Sequence, residues 1–333
     1  GLVEWRGCFP WKGVEGWWSV RSPASEAAPG AGWGIPGRSA APQAALGLDE
    51  VAQALDKGWT LPARWYSDPD VAELEYQQIF AHSWTLLCPE SKLANTGDHV
   101  VGSSGRVPVV VTRDAEGKLH GFVNVCRHRA HPVAMKDGCR KLLQCRYHGW
   151  TYTLDGRLEN APRMSREMDF DREDYSLVPV AVDTWRGFVF VNPDAAAAPL
   201  MDVHPALEPL AIERNPGFAD WKFRERWTYP IQANWKVFVE NATGGYHCPT
   251  VHTKSFSDAF ITDAHVYELV EIGGLLCQFT PYHAHRANTL CGGSTGRGFR
   301  LILLSPTACW PPAALAPFRR SASPPALHAC ARP

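Results

Sequence analysis

The chain has 333 residues, 45% of them hydrophobic and 20% charged, with a formal net charge of −1; that is long enough for two cores, or for one large core with an insertion. No apolar stretch approaches the roughly 18 uninterrupted residues of a membrane helix, and the charge balance creates no field favouring nucleic acid or an anionic membrane. A soluble globular protein is expected, with neither nucleic acid nor membrane as partner.

Ten cysteines in a chain without a secretory signal pattern point to metal binding or buried free thiols rather than disulfides, and so to a reducing compartment. A cytoplasmic location is expected, with organellar import left open. The sequence starts without Met, so its true start is expected upstream.

Residues 1–47 carry Trp5, Trp11, Trp17, Trp18 and Trp33 at no helical or strand period, among many Gly, Pro, Ala and Ser. They read as disordered, or as sequence outside the domain. Residues 48–82 read as a helical segment ahead of the next domain. Within them Asp68 or Ser67 can cap a helix running from Asp70 to Phe80, because a short polar side chain satisfies a free first-turn amide.

From 83 to 195 short apolar runs alternate with turn residues: Val100–Val101, Val107–Val111, Leu119–Val125, Leu142–Cys145, Trp150–Leu154, Val178–Val182 and Gly187–Val191. Pro108 and Pro179 place two of these at a sheet edge or a strand start, and Asp155-Gly156 is a tight-turn signal. The pattern predicts a small antiparallel β-domain. Beyond it, Trp227–Ile231 reads as a strand. Asn234 then caps a helix with Trp235, Phe238, Val239 and Ala242 on one face, ended by Gly244-Gly245. Val266–Phe279 reads as one or two strands. Residues 200–290 are expected to hold an incomplete catalytic domain. Residues 291–333 form an atypical tail, and no Asp or Glu follows Glu271.

Two Cys/His pairs carry the chemistry of the β-domain. Cys126-Arg-His128 and Cys145-Arg-Tyr-His148 are separated by sixteen residues, each after a strand-like run and before a turn. Two thiolates on one iron and two imidazoles on the other make a Rieske [2Fe–2S] centre, in which neutral imidazoles ease reduction of their iron. A structural Cys₂His₂ zinc site is the alternative, although zinc sites usually group like ligands. Cys139 and His131 lie nearby and read as packing residues. The second signal is Asn234-Trp-Lys-Val-Phe-Val-Glu-Asn241 followed by Tyr246-His247-Cys-Pro-Thr-Val-His252. On a regular helix the two His would point about 140° apart, so Pro249 is expected to bend the chain and turn both toward one metal. With a carboxylate they would complete the 2-His-1-carboxylate set of non-haem iron oxygenases.

The ligand surroundings, Cys126-Arg-His-Arg-Ala-His-Pro and Cys145-Arg-Tyr-His-Gly-Trp150, together with the downstream His pair, resemble the α subunit of Rieske non-haem iron oxygenases, the aromatic-ring-hydroxylating dioxygenase family. The likeness runs from about residue 65 to 280. Gly244-Gly-Tyr-His247 is also similar to choline monooxygenase and related quaternary-amine oxygenases. The resemblance implies an α+β fold, a Rieske antiparallel β-domain inserted in a helix-grip-like catalytic domain with an antiparallel sheet. It implies a [2Fe–2S] cluster on Cys126, His128, Cys145 and His148, with the two His as its exposed edge. It also implies mononuclear Fe(II) on His247 and His252.

An oxygenase of this kind takes electrons from NAD(P)H through a separate ferredoxin or flavin reductase. With O₂ it hydroxylates or dealkylates a small organic substrate, an aromatic compound or a quaternary amine, and it works as a homotrimer whose electrons cross between subunits. Tyr246 and Asn241 would support the iron ligands. Trp235, Phe238, Phe256 and Phe260 would suit either substrate. Two departures stand out. Gly244 occupies the place of the family's bridging acid, with Glu240 about a turn upstream. The downstream carboxylate ligand is also missing, with Asp258 and Asp263 the remaining acidic candidates. A catalytically impaired electron carrier is therefore the alternative expectation.

Overall fold

The structure, a computed structural model, describes residues 48–164, 170–214, 230–254, 257, 260, 268–272, 275–281 and 297–302. Residues 1–47, most of the predicted strand at Trp227–Ile231, and Phe256, Asp258 and Asp263 lie outside the described residues; Pro230 and Ile231, which end that stretch, are described and are not in a strand.

Three helices open the described chain: α1 (Leu48–Asp56), α2 (Arg64–Ser67) and α3 (Pro69–Glu75). Asp68 caps α3 by accepting from the Asp70 amide at 2.9 Å. The helix expected through Phe80 changes character at Tyr76, where a π-helical turn runs to Phe80. Its signature is the Ala81 amide donating to Tyr76 O at 2.9 Å, a five-residue step that swings the turn's side chains onto new faces.

Ten strands follow: β1 (Thr85–Pro89), β2 (Asp98–Ser104), β3 (Val107–Arg113), β4 (Leu119–Val123), β5 (Gly138–Cys139), β6 (Leu143–Gln144), β7 (Thr151–Tyr152), β8 (Leu158–Asn160), β9 (Pro179–Trp185) and β10 (Phe188–Asn192). They form a seven-stranded sheet ordered β1-β10-β9-β4-β3-β2-β5 and a three-stranded sheet β6-β7-β8. Pairing is antiparallel throughout both. Pro108 and Pro179 sit at or beside strand starts, as expected, and Gly156 makes its turn at φ +85°. The strand β1 had no sequence signal of its own.

Strand periodicity decides which core each residue enters. Val109, Val110 and Val111 are all fully buried. Val110, paired with Phe122, faces a core that includes Cys126, Cys145, Trp150 and Tyr152. Val109 and Val111 face the opposite core, with Val123, Val189 and Val191. Close approach explains Gly121: a Cβ there would lie 2.4 Å from Val182 Cγ2. The central strands thus put a packed floor beneath the loops that carry the Cys/His pairs.

After β10 come α4 (Leu200–Val203) and α5 (Leu207–Arg214), whose Leu200, Leu207 and Leu210 pack with Trp185 and Phe190. Then α6 (Trp235–Thr243) is capped by Asn234, which accepts from the Lys236 amide. A single 3₁₀ turn (Gly245–His247) and α7 (Cys248–Val251) complete the helices. Strands β11 (Glu268–Ile272), β12 (Leu275–Pro281) and β13 (Arg297–Ile302) form a separate antiparallel sheet in that order. The stretch expected as one or two strands after Val266 is two.

Candidate metal centres

The β4–β5 and β6–β7 loops share one local design. In the first, the Cys126 amide donates to His131 O at 2.8 Å and the Ala130 amide donates to Cys126 O at 3.1 Å. In the second, the Cys145 amide donates to Trp150 O at 2.8 Å and the Gly149 amide to Cys145 O at 3.0 Å. Each loop closes through a left-handed residue, Ala130 at φ +58° and Gly149 at φ +76°. Glycine takes that conformation freely and alanine with strain. The Asn124 side chain ties the first loop down. Its Oδ1 accepts from the Val133 and Ala134 amides at 3.1 and 2.9 Å, and its Nδ2 donates to Ala134 O at 2.7 Å.

These loops bring the side chains together as two pairs. Cys126 and Cys145, 3% and 2% exposed, face one another in the core. The His128 and His148 rings lie 4.5 Å apart, and His128 stacks on Trp150 at 4.9 Å with 11° between planes. Trp150 is boxed edge-on by Phe170 and Tyr175. Tyr152 Oη lies 3.3 Å from Cys126 Sγ and accepts from the Arg127 amide at 3.1 Å.

The protonation chemistry suits a bound cation. Burial pushes the Cys126 thiol above its ordinary value, and the nearby Cys145 adds to this, against the Tyr152 hydroxyl and the His128 amide. Burial, then His148 and Arg129, holds His128 below the usual histidine range. The buried Cys126 thiol resists ionisation until a metal supplies positive charge, and a neutral imidazole is what a metal requires. His128 Nδ1 is buried without a hydrogen-bond partner, an acceptor left for something other than protein. Among the described residues no three His, Cys, Asp or Glu side chains converge on one metal ion. Two separate pairs suit a binuclear cluster, one pair per iron, better than tetrahedral zinc. Cys139 is exposed on β5, its thiol donating to Thr96 O at 3.6 Å, and His131 Nδ1 lies 2.7 Å from Pro132 O.

The second pair is assembled differently. Gly244 ends α6, its amide donating to Glu240 O at 2.8 Å. His247 closes the 3₁₀ turn and His252 follows α7. The ring centroids are 5.2 Å apart. The chain direction changes between the two His, and Pro249 sits in the first turn of a new short helix, where its missing N–H costs nothing. His247 Nδ1 is 2.9 Å from Gly244 O. A carbonyl only accepts, so Nδ1 carries the proton and Nε2 is left with its lone pair. Glu240, the nearest upstream acid, accepts from Tyr66 Oη at 2.7 Å. Tyr246 is 98% exposed, so it packs against neither histidine. No third acidic donor joins the pair among the described residues.

Two family models match: a Rieske [2Fe-2S] domain over residues 83–185 and the catalytic domain of a ring hydroxylating alpha subunit over residues 218–290. A solved quaternary ammonium Rieske monooxygenase, CntA with L-carnitine, is 30% identical with a TM-score of 0.63; the match covers 70% of this chain and 67% of that one. The chain belongs to the Rieske non-haem iron oxygenase α subunits. These matched domains are the ones that carry a [2Fe–2S] cluster and a mononuclear iron.

The carnitine monooxygenase oxygenase subunit of Escherichia coli K12 is 36% identical over 208 residues, 62% of this chain and 55% of the relative. Chloroplastic choline monooxygenase of Spinacia oleracea is 32% identical over 216 residues, 64% of this chain and 49% of the relative. This Rieske chain thus spans about half the length of the curated relatives it matches. Naphthalene 1,2-dioxygenase from a Rhodococcus shares the fold at 27% identity and a TM-score of 0.61, over 73% of this chain and 58% of that one. Among the described residues no helix is long and apolar enough to cross a membrane.

Proposed function

We propose that the chain is the oxygenase component of a Rieske monooxygenase acting on a small quaternary amine, fed with electrons by a separate ferredoxin or flavin reductase and assembled as a trimer. In this reading Cys126 and Cys145 bind one iron of the cluster and His128 and His148 the other. His247 and His252 hold the mononuclear iron through Nε2 of His247, and the carboxylate comes from outside the described residues. Residues 83–195 form the cluster domain. Residues 48–82 and 200–290 belong to the catalytic domain.

The buried, orphaned Nδ1 of half-buried His128, with the His148 ring beside it and two facing thiols on the neighbouring strands' loops, carries the proposal. The substrate class rests on the carnitine and choline monooxygenases among the relatives. When bound, the cluster would supply electrons one at a time and the mononuclear iron the oxygen-activating chemistry for hydroxylation or dealkylation. The chain's own residues prepare those sites. Trp150 and its aromatic box keep water from one face of His128. Tyr152 is placed to donate to the Cys126 thiolate, and the Gly244 carbonyl fixes the His247 tautomer and ring.

The second reading is a chain that only carries electrons on its cluster; its one support is that no third donor joins the histidine pair among the described residues. Iron and acid-labile sulfide per chain, with an EPR spectrum after reduction of anaerobically purified protein, separate the two. Three irons with two sulfides and a Rieske signal support the oxygenase; two irons with the same signal support the carrier. Zinc without sulfide overturns both. The open place at Gly244 gives a second test. Gly244→Asp or Gly244→Glu should raise product yield in a single turnover by supplying the bridging acid. An added Cβ would lie 2.9 Å from Glu240 O, so the turn must shift slightly. Unchanged yield from both variants, in protein holding both metals, removes that account.

A further inference from the structure

The π-helical turn after α3 serves no part of either metal site, yet it touches both the cluster-bearing sheet and the helix before the histidine turn. Glu73 and Glu75 are two residues apart on α3, so their side chains leave the helix about 200° apart. Each finds a partner in a different part of the molecule. Glu73 Oε2 accepts from Arg106 Nη1 at 2.5 Å, and Arg106 lies at the β2–β3 turn of the cluster-bearing sheet. The Arg106 guanidinium also covers the Tyr76 ring at 4.6 Å. At the neighbouring Gly105, a Cβ would stand 3.0 Å from Phe80 Cβ and 3.4 Å from Tyr76 Cε2. The β2–β3 turn is thus seated directly on the π turn.

On the other side Glu75 reaches α6. Its Oε1 accepts from Lys236 Nζ at 2.5 Å and its Oε2 from Trp235 Nε1 at 2.8 Å. Glu75 and Lys236 are 5% and 8% exposed. The Phe80 ring meets Trp235 edge-on at 5.6 Å. Two further bonds join α6 to α2: Tyr66 Oη to Glu240 at 2.7 Å, and Asn234 Nδ2 to Tyr66 O at 3.0 Å. The helix gripped in this way is the one that runs straight into His247. A buried ion pair is a weak source of stability, because desolvation offsets most of the attraction. Its strength is direction: two oxygens and two fixed donors allow one relative placement of the helices, whereas an apolar contact tolerates sliding.

We propose that residues 69–80 form a strap that fixes the cluster-bearing sheet and the α6–His252 turn in one relative position, with Glu75 as the positioning residue. The inference uses the reading of the turn after α6 as the iron-bearing one, but its geometry does not depend on iron being there. The π turn makes the strap two-sided. It sends Tyr76 to the β2–β3 turn and Phe80 to Trp235 within five residues. In the proposed trimer the electron crosses to a neighbouring subunit, so the meeting of cluster and iron at that junction depends on how rigidly each chain holds its own two parts.

The test measures position directly in the full, cluster-loaded chain. A nitroxide attached to p-acetylphenylalanine in place of the exposed Tyr246 reports on the turn, and the reduced cluster supplies the second electron spin. Pulsed dipolar EPR then gives their distance distribution, with no metal needed at His247 and His252. A missing cluster signal in unsubstituted protein would instead strike the cluster assignment itself. The wild-type distribution is expected to be narrow. Glu75→Gln and Arg106→Gln should each at least double its width while the Rieske spectrum stays unchanged, which a role confined to folding would not produce. Arg106 is about half exposed, so its variant keeps the test decisive if Glu75→Gln fails to fold. Wild-type width in Arg106→Gln, or in both variants, overturns the strap.

Discussion

At the tip of the β-domain, Cys126 and Cys145 are buried in a core with Val110, Phe122, Leu143, Trp150 and Tyr152, and each loop is closed by two main-chain hydrogen bonds. The turn carrying His247 and His252 is built with far less. A three-residue 3₁₀ turn and a four-residue helix hold the pair, with Tyr246 and Val251 turned to solvent. The first region is shaped before any metal arrives. In the second, side-chain hydrogen bonds from His247 Nδ1 to Gly244 O and from Ser257 Oγ to Cys248 O add to the main-chain bonds from His252 to Cys248 and from Ser257 to His252. The difference teaches where each region's rigidity comes from. The cluster loops are stiffened by the sheet beneath them, and the histidine turn by the helix before it and its clasp to the N-terminal helices.

This contrast can be broken most completely at the cluster. Cys145→Ser should abolish the Rieske EPR signal and the visible absorption while far-UV circular dichroism keeps its strand signature, since the floor of the loops is packed without metal. Global unfolding of the variant would show instead that the cluster, not the core, holds the tip together.

Next in size is Asn124→Ala. It strands the buried amides of Val133 and Ala134 and the Ala134 carbonyl, and buried unpaired groups cost about 1–3 kcal/mol each before relaxation. A loss of about 3 kcal/mol in denaturant unfolding is expected. Ser257→Ala, which removes one hydroxyl donor beside the histidine turn, should cost only about 1 kcal/mol. Equal losses would erase the distinction between the two regions.

Tyr152→Phe sharpens the comparison without breaking the fold. The hydroxyl placed 3.3 Å from Cys126 Sγ favours the more negative, reduced cluster, as hydrogen bonds to cluster sulfurs do. Its removal should lower the midpoint potential by about 50 mV, the equivalent of roughly one net hydrogen bond for a one-electron couple. Protein-film voltammetry reads this. An unchanged or raised potential would mean that the hydroxyl serves the Arg127 amide alone.

The smallest effect belongs to the clasp beside the histidine turn. Burial and then the Glu240 carboxylate push the Tyr66 hydroxyl up to about 12. A group whose folded value is raised binds its proton more tightly when folded. Its contribution is full below the ordinary value of 10.0 and is lost as pH rises through about 12. Tyr66 is partly exposed, so the change is small. Denaturation midpoints at pH 9 and pH 11.5 should fall further in wild type than in Tyr66→Phe, and parallel curves would remove Tyr66 from the alkaline response.

The spacing of Cys126, His128, Cys145 and His148, the mixed order within each pair, and the strand-length runs before them were enough to read the β-domain and its cluster from sequence, because local chemistry and strand periodicity are written residue by residue. So were the Asn234 cap and the end of α6 at Gly244. Other features depend on contacts distant in the chain. Nothing in the sequence marked Ala130 as left-handed; its conformation follows from closing a loop against Asn124 and the sheet. The helix expected through Phe80 became a π turn because Tyr76 and Phe80 answer to partners at Gly105, Arg106 and Trp235. Glu75 and Lys236 lie 161 residues apart, and only tertiary packing could make them a buried pair, since burial and the choice of ion partner are properties of the folded surroundings rather than of either neighbourhood in the chain.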